Sequence, residues 1–227
     1  MPVTFDAVSH GSLIAGPDTD TLTSGWTHTP VGAPGVVLVG FKYKTTVPTA
    51  RSVGRTVTVG GHDLTQMKPP MGQVGMGWGA PKPGFIEVWA GIGAAAAGGA
   101  VAIDLGYDPI TGNPLSPADA TFSDFSAVAL TYLGCTTMPD PAVHKGVSGR
   151  SASGRLISVP VSNFMNALGV TFVGADSAIS EDAPHATTRY LASDSGLWVG
   201  DHQGPGTIRM ETPGGNWGAV TVNLMPT

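Results

Sequence analysis

One stretch constrains this chain more than any other. Gly35-Val36-Val37-Leu38-Val39-Gly40-Phe41-Lys42-Tyr43-Lys44 opens apolar on both faces and closes alternating, with Val37, Val39, Phe41 and Tyr43 on one side and Lys42 and Lys44 on the other. A strand covered on both faces at one end and wet on one face at the other belongs inside a sheet that packs on a second layer. Around it, Leu22 to Leu64 reads as a short strand holding Trp26, a Pro/Gly turn, the long strand, a polar excursion, a strand, and a hairpin at Gly60-Gly61. Two adjacent glycines take the positive φ of a primed turn without Cβ strain. The strand from Thr23 to Thr29 and the long strand are joined by a short Pro/Gly connection, so they are expected to lie side by side and antiparallel.

Alternation and Gly/Pro punctuation continue to the end of the chain. Strands are expected from Val3 to Val8, Val53 to Val59, Phe85 to Ile92, Ala100 to Leu105, Phe125 to Leu133, Arg155 to Val161 and Ala167 to Ala175. Four more follow, Thr187 to Ala192, Leu197 to Gly200, Thr207 to Glu211 and Trp217 to Leu224. With 33 glycines, 19 prolines and 12% charged residues in 227, turn formers are abundant and helix formers scarce. The expected fold is therefore all-β: an antiparallel two-sheet β-sandwich, jelly-roll-like, forming one domain over residues 1–227 with long loops. No internal repeat is visible.

Met67 to Pro83 and Tyr107 to Asp124 are the long loops. The first has no apolar periodicity and carries Met71, Met76 and Trp78, flexible thioethers and an aromatic that suit an adaptable contact surface. Trp89, on the face of its strand opposite Val88 and Ala90, joins them as a candidate contact residue, with Tyr190 and Trp198 as alternatives for stacking on a sugar. Trp26 and Trp217 are expected in the core. Glu87 shares the face of Trp89 and is expected to be solvated or to face a neighbouring subunit.

Several function classes drop out. The net charge is −5 and the 11 basic residues are scattered, so no footprint for nucleic acid exists. Cys135 is the single cysteine, which excludes an intrachain disulfide and a cysteine-based zinc site; it reads as a small buried hydrophobe. The first residues lack the pattern of a secretory signal, and the Ala/Gly run between Gly91 and Ile103 is too short to cross a bilayer, so no membrane insertion is expected. Gly91-Ile92-Gly93 lacks the βαβ frame of a nucleotide fingerprint. The second glycine of Gly149-Arg150-Ser151-Ala152-Ser153-Gly154 comes one place late for a nucleophile elbow. Asp108, Asn113, Asp119 and Asp124 match no EF-hand spacing. No catalytic residue, metal or cofactor is assigned, and the chain is expected not to be an enzyme.

A resemblance rests on particular residues. Trp26-Thr27-His28-Thr29, Leu38-Val39-Gly40, Val57-Thr58-Val59-Gly60-Gly61-His62-Asp63-Leu64-Thr65, Glu87-Val88-Trp89 and Ala100-Val101-Ala102-Ile103 follow one another as in a domain of actinobacterial phage tail proteins and related bacterial surface proteins. The chain resembles that domain over about residues 20 to 135. The resemblance implies a β-sandwich of the virion, a minor tail protein that assembles with copies of itself and other tail subunits and contacts host-envelope glycan. Low charge fits surfaces buried in protein contacts. Two alternatives stand beside this expectation: a capsid decoration protein, and a carbohydrate-binding or glycan-hydrolysing protein of the envelope.

Overall fold

The computed structural model describes residues 2–11, 25–33, 35–45, 56–67, 76–78, 84–104, 122–139, 150–151, 155–161, 166–181, 185–213 and 215–227. Among them, the first half of the chain forms β1 (Thr4–Gly11), β2 (Trp26–His28), β3 (Val36–Thr45), β4 (Thr56–Val59), β5 (His62–Asp63), β6 (Thr65–Gln66), β7 (Met76–Trp78), β8 (Gly84–Ile92), β9 (Gly99–Asp104) and β10 (Phe122–Leu133). The second half forms β11 (Arg150–Ser151), β12 (Arg155–Val161), β13 (Leu168–Ala175), β14 (Ser180–Glu181), β15 (Thr187–Ala192), β16 (Leu197–Gln203), β17 (Gly206–Thr212) and β18 (Gly215–Leu224). The expected all-β, antiparallel, sandwich-like architecture is what these strands build.

Each half makes one large and one small sheet from its own strands. In the first half the large sheet runs β1-β10-β3-β8-β6, with β7 also on β8, and the small sheet runs β2-β9-β4-β5. In the second half the large sheet runs β11-β18-β13-β16-β15 and the small sheet β12-β17-β14. Matching β1 with β11, β3 with β13, β8 with β16, β10 with β18 and β6 with β15 superimposes the two large-sheet orders. Matching β2 with β12, β4 with β14 and β9 with β17 does the same for the small sheets. Successive strands cross between two sheets and the last lies beside the first, which is jelly-roll wiring. A repeat invisible in residue identity is thus present in topology.

The four sheets stack as layers with three cores between them. Val37, Phe41, Tyr43, Val57, Val59, Val101 and Ile103 fill the space between the small and large sheets of the first half. Leu38, Val88, Leu130, Val170, Phe172, Val199 and Val222 fill the space between the two large sheets. Ile157, Val159, Val173, Trp198, Ile208 and Met210 pack between the large and small sheets of the second half. Across the middle layer β18 lies on β8 and β7, while β13 lies on β3 and β8. At the other side Tyr132 of β10 reaches Asp201 of β16, and His10 of β1 meets Tyr190 of β15. Exchanging the halves turns the contact of β18 with β8 into that of β10 with β16 and maps the contact of β3 with β13 onto itself, as a two-fold axis within one chain would. At its centre Gly40 of β3 makes room for Phe172 of β13: a Cβ there would lie 2.2 Å from Phe172 Cδ1.

This stacking corrects several local expectations. The expected face-to-face pair is present as the two large sheets, and a small sheet covers the outer face of each. β2 does not lie beside β3; it pairs with β9 in the small sheet, because jelly-roll wiring sends consecutive strands to opposite layers. Lys42, expected on a wet face, is 1% exposed. Its Nζ donates to Ala175 O of β13 at 3.0 Å and pairs with Asp124 Oδ2 at 3.0 Å, and a buried ammonium needs such partners to be tolerated. The hairpin at Gly60-Gly61 is as expected, with φ of 59° and 79°.

Candidate functional site

Where the large sheets meet at one side, edge strand β1 of the first half stands opposite edge strand β15 of the second. Both strands carry a bulge there. The β1/β10 register shifts between Phe5 and Ala7, and the β15/β16 register shifts between Thr188 and Tyr190. A bulge inserts an unpaired residue and re-aims side chains. In β15 the inserted residue is Arg189. In β1 it is Asp6, whose carboxylate accepts the backbone N–H of Val31 at 3.0 Å and of Gly32 at 2.9 Å.

Between these edges lies an open crevice of about 430 Å³, lined in part by Thr4, Phe5, Thr187, Arg189, Asp201 and Gln203. Its floor is polar and held from both halves. Arg189 Nε donates to Asp201 Oδ2 at 2.6 Å and Nη2 donates to Oδ1 at 3.2 Å, a two-pronged pair. Tyr132 Oη donates to Asp201 Oδ2 at 3.3 Å. Burial, followed by the charge of Asp201, pushes the Tyr132 phenol well above its ordinary pKa, so it stays a donor. The guanidinium of Arg189 lies 4.4 Å over the ring of Phe5, a cation–π contact that joins the halves. Beside it, the half-buried Tyr190 ring sits 5.2 Å from the ring of His10. Burial raises the Tyr190 phenol, and a hydrogen bond shared with Ser126 partly offsets that.

The sequence-predicted contact residues scatter. Tyr190 follows Arg189 in β15, but its ring lies against His10 and is not part of the crevice lining. Trp89 is 6% exposed under the first small sheet, which corrects its expected exposed face; its Nε1 donates to Glu87 Oε2 at 3.1 Å. Trp198 is fully buried, so it cannot stack on a sugar; its Nε1 donates to Glu181 Oε1 at 3.2 Å and Thr188 Oγ1 at 3.1 Å. For Trp89 alternation assigned the right face, but a further sheet covers it. Met71 lies outside the described residues. Met76 and Trp78 belong to β7, which pairs with β8, and their side chains lie outside the described set. Trp217 is in the core, as expected, while Trp26 is half-buried at the edge of its own.

Other polar clusters are buried struts. Glu87, expected at a wet or subunit-facing position, is fully buried; it accepts hydrogen bonds from Tyr43 Oη at 2.9 Å and Gln66 Nε2 at 2.8 Å besides that of Trp89. His28 Nδ1 and Ser9 Oγ share a hydrogen bond at 2.8 Å, which places a hydroxyl beside an imidazole. Yet His28 is 1% exposed, its Nε2 is bonded to the Thr131 hydroxyl, and Trp26 Nε1 donates to Ser9 Oγ at 3.0 Å. Burial lowers the His28 pKa, with Asp6 opposing more weakly. This chain of bonds ties β1, β2 and β10 together and offers a substrate no approach. His202, Thr171 and Thr221 form a similar buried row, with Thr171 Oγ1 3.2 Å from His202 Nε2 and 2.8 Å from Thr221 Oγ1. Among the described residues no group of three or more His, Cys, Asp or Glu side chains is placed to hold a metal ion.

Arg189 and Asp201 were not legible as a site from local sequence. The available signal was an arginine interrupting the alternation of Thr187 to Ala192, which marks a bulge; its partner lies on the next strand. No family model, no curated protein and no solved structure matches this chain.

Proposed function

We propose that this protein is a structural component of a phage virion, a minor tail protein that assembles with copies of itself and with other tail subunits and touches the host envelope. One observation carries the reading. Stacking two jelly rolls through their large sheets leaves the small sheets as two broad outer faces, and the described side chains on the first of these carry little charge. Thr27, Thr56, Ala100 and Ala102 stand exposed on it, with Thr58 half-exposed between them and the exposed Asp63 of β5 at its edge. Charge depletion of this kind suits a surface that a neighbouring subunit covers. The wiring agrees, since jelly rolls build capsid and lectin domains alike.

Imaging intact particles that carry this protein with a C-terminal tag tests the assignment. The tag is expected on the tail. Label spread over the capsid shell would replace the tail reading with the decoration-protein reading, and no label on the particle would overturn both. A second reading, a carbohydrate-binding protein of the envelope, is favoured by the crevice between β1 and β15. Incubation with purified envelope polysaccharide is expected to release no sugar; released sugar would overturn the non-enzyme assignment.

A further inference from the structure

We infer that the crevice between β1 and β15 is a saccharide site, built to take an uncharged pyranose of an envelope glycan. The inference rests on the envelope-contact reading for the source of the glycan, and on the chemistry of the crevice for its class. At about 430 Å³ the space lies within the range of small-molecule clefts and suits one or two sugar rings.

The floor is fixed before any ligand arrives. Asp201, 5% exposed, grips Arg189 through Nε and Nη2, and Phe5 supports the guanidinium plane from below. Among the described residues those bonds leave Nη1 with both its hydrogens for an acceptor in the crevice. Thr4, Thr187 and Gln203 are exposed at the rim and can each donate or accept. Phe5, half-buried, lines the same crevice and supplies apolar ring surface beside the guanidinium. Donors, acceptors and aromatic carbon close together match a polyol ring, which has hydroxyls around its rim and C–H groups on its faces.

Charge narrows the class. The Arg189 and Asp201 charges cancel within the site, so neither an anion nor a cation gains a net electrostatic attraction there. The chain as a whole carries −5, which opposes anionic polymers. An extended peptide is also disfavoured, because the bulges at Asp6 and Arg189 break the regular edge that strand addition needs.

The test is a titration of ¹⁵N-labelled full-length protein with maltotriose, galactotriose and trigalacturonic acid, followed by amide shifts. A neutral trisaccharide is expected to move the amides of Thr4, Phe5, Thr187, Arg189 and Gln203. Thr187→Trp fills the mouth of the crevice without touching the Arg189–Asp201 pair, and is expected to weaken binding by at least about tenfold, the equivalent of one lost charge-assisted hydrogen bond. Arg189→Lys keeps the charge but loses the fork, and is expected to weaken it by a similar factor. Binding unchanged by Thr187→Trp, shifts confined to other surfaces, no binding of either neutral sugar, or preference for the acid would each overturn the inference. A parallel assay on purified cell envelope separates the two levels. Envelope binding that Thr187→Trp leaves intact ends the crevice proposal and keeps the envelope-contact reading, whereas no envelope binding at all ends both.

Discussion

The closest approach of the two halves gives the sharpest prediction about stability. Gly40 and Phe172 meet at the centre of the stacked large sheets, where an added Cβ would lie 2.2 Å from Cδ1 and 2.3 Å from Cε1 of a ring that is itself fully buried. Ordinary carbon contacts lie at about 3.5–4.0 Å, so Gly40→Ala must displace the ring or part the sheets. A close-packed interior accommodates neither cheaply, and the expected cost is near the top of the roughly 1–3 kcal/mol range for overpacking. Phe172→Ala removes the ring and is expected to cost about 3–5 kcal/mol. In the double variant the methyl introduced by Gly40→Ala enters the vacated space, so the penalty of that substitution disappears and about 0.8 kcal/mol of methyl burial is regained. The two substitutions should therefore be non-additive by about 3–4 kcal/mol, the lost overpacking penalty plus the regained methyl burial, the double variant being more stable than the sum predicts. Urea unfolding of the four proteins measures this directly, provided the denaturant slope is unchanged among them. Additivity within about 0.5 kcal/mol, or a Gly40→Ala protein as stable as the parent, would refute the face-to-face packing of the halves.

Three further outcomes follow from the buried polar groups. Because burial depresses the His28 pKa, the folded protein favours neutral imidazole; stability is fully present above the ordinary value of about 6.5 and falls as pH drops below it, while His28→Gln should flatten that slope between about pH 7.5 and 5 in urea midpoints. Glu87→Gln puts an N–H₂ group among the donors Tyr43, Gln66 and Trp89, so it should destabilise by about 1–3 kcal/mol by the same assay, with Tyr43→Phe partly rescuing it. Asn223 is 1% exposed and neither of its side-chain polar atoms has a hydrogen-bond partner among the described residues; Asn223→Leu should therefore raise the stability by about 1–2 kcal/mol, and a loss would show that the amide has a role the fold needs.

The candidate site was barely legible. Tyr190, named from the sequence as an alternative for stacking on a sugar, follows Arg189 in the chain, but its ring lies against His10 and outside the crevice lining. Its neighbours Arg189 and Asp201 are ordinary polar residues until a bulge aims the first at the second and an edge strand from the other half brings Phe5 over both. Trp89, Lys42 and Glu87 fail in the opposite sense. Each is on the face that alternation assigns, but that face is covered by another sheet.

By itself the sequence determined which segments are strands and where many of them turn, because alternation, β-branched residues and Gly/Pro act within a few residues of one another. Val36–Thr45, Gly84–Ile92, Leu168–Ala175 and Gly215–Leu224 all fall where that pattern predicts them. Tertiary structure alone decided what lies on the second face of each large sheet: the partner of Lys42 is a carbonyl 133 residues away, and that of His28 a hydroxyl 103 residues away. Period-two patterning says that a face is apolar or polar, and carries no information about which layer will cover it. The repeated jelly-roll wiring, the internal two-fold and the crevice they create between β1 and β15 arise from that layer order, which is a property of long-range packing.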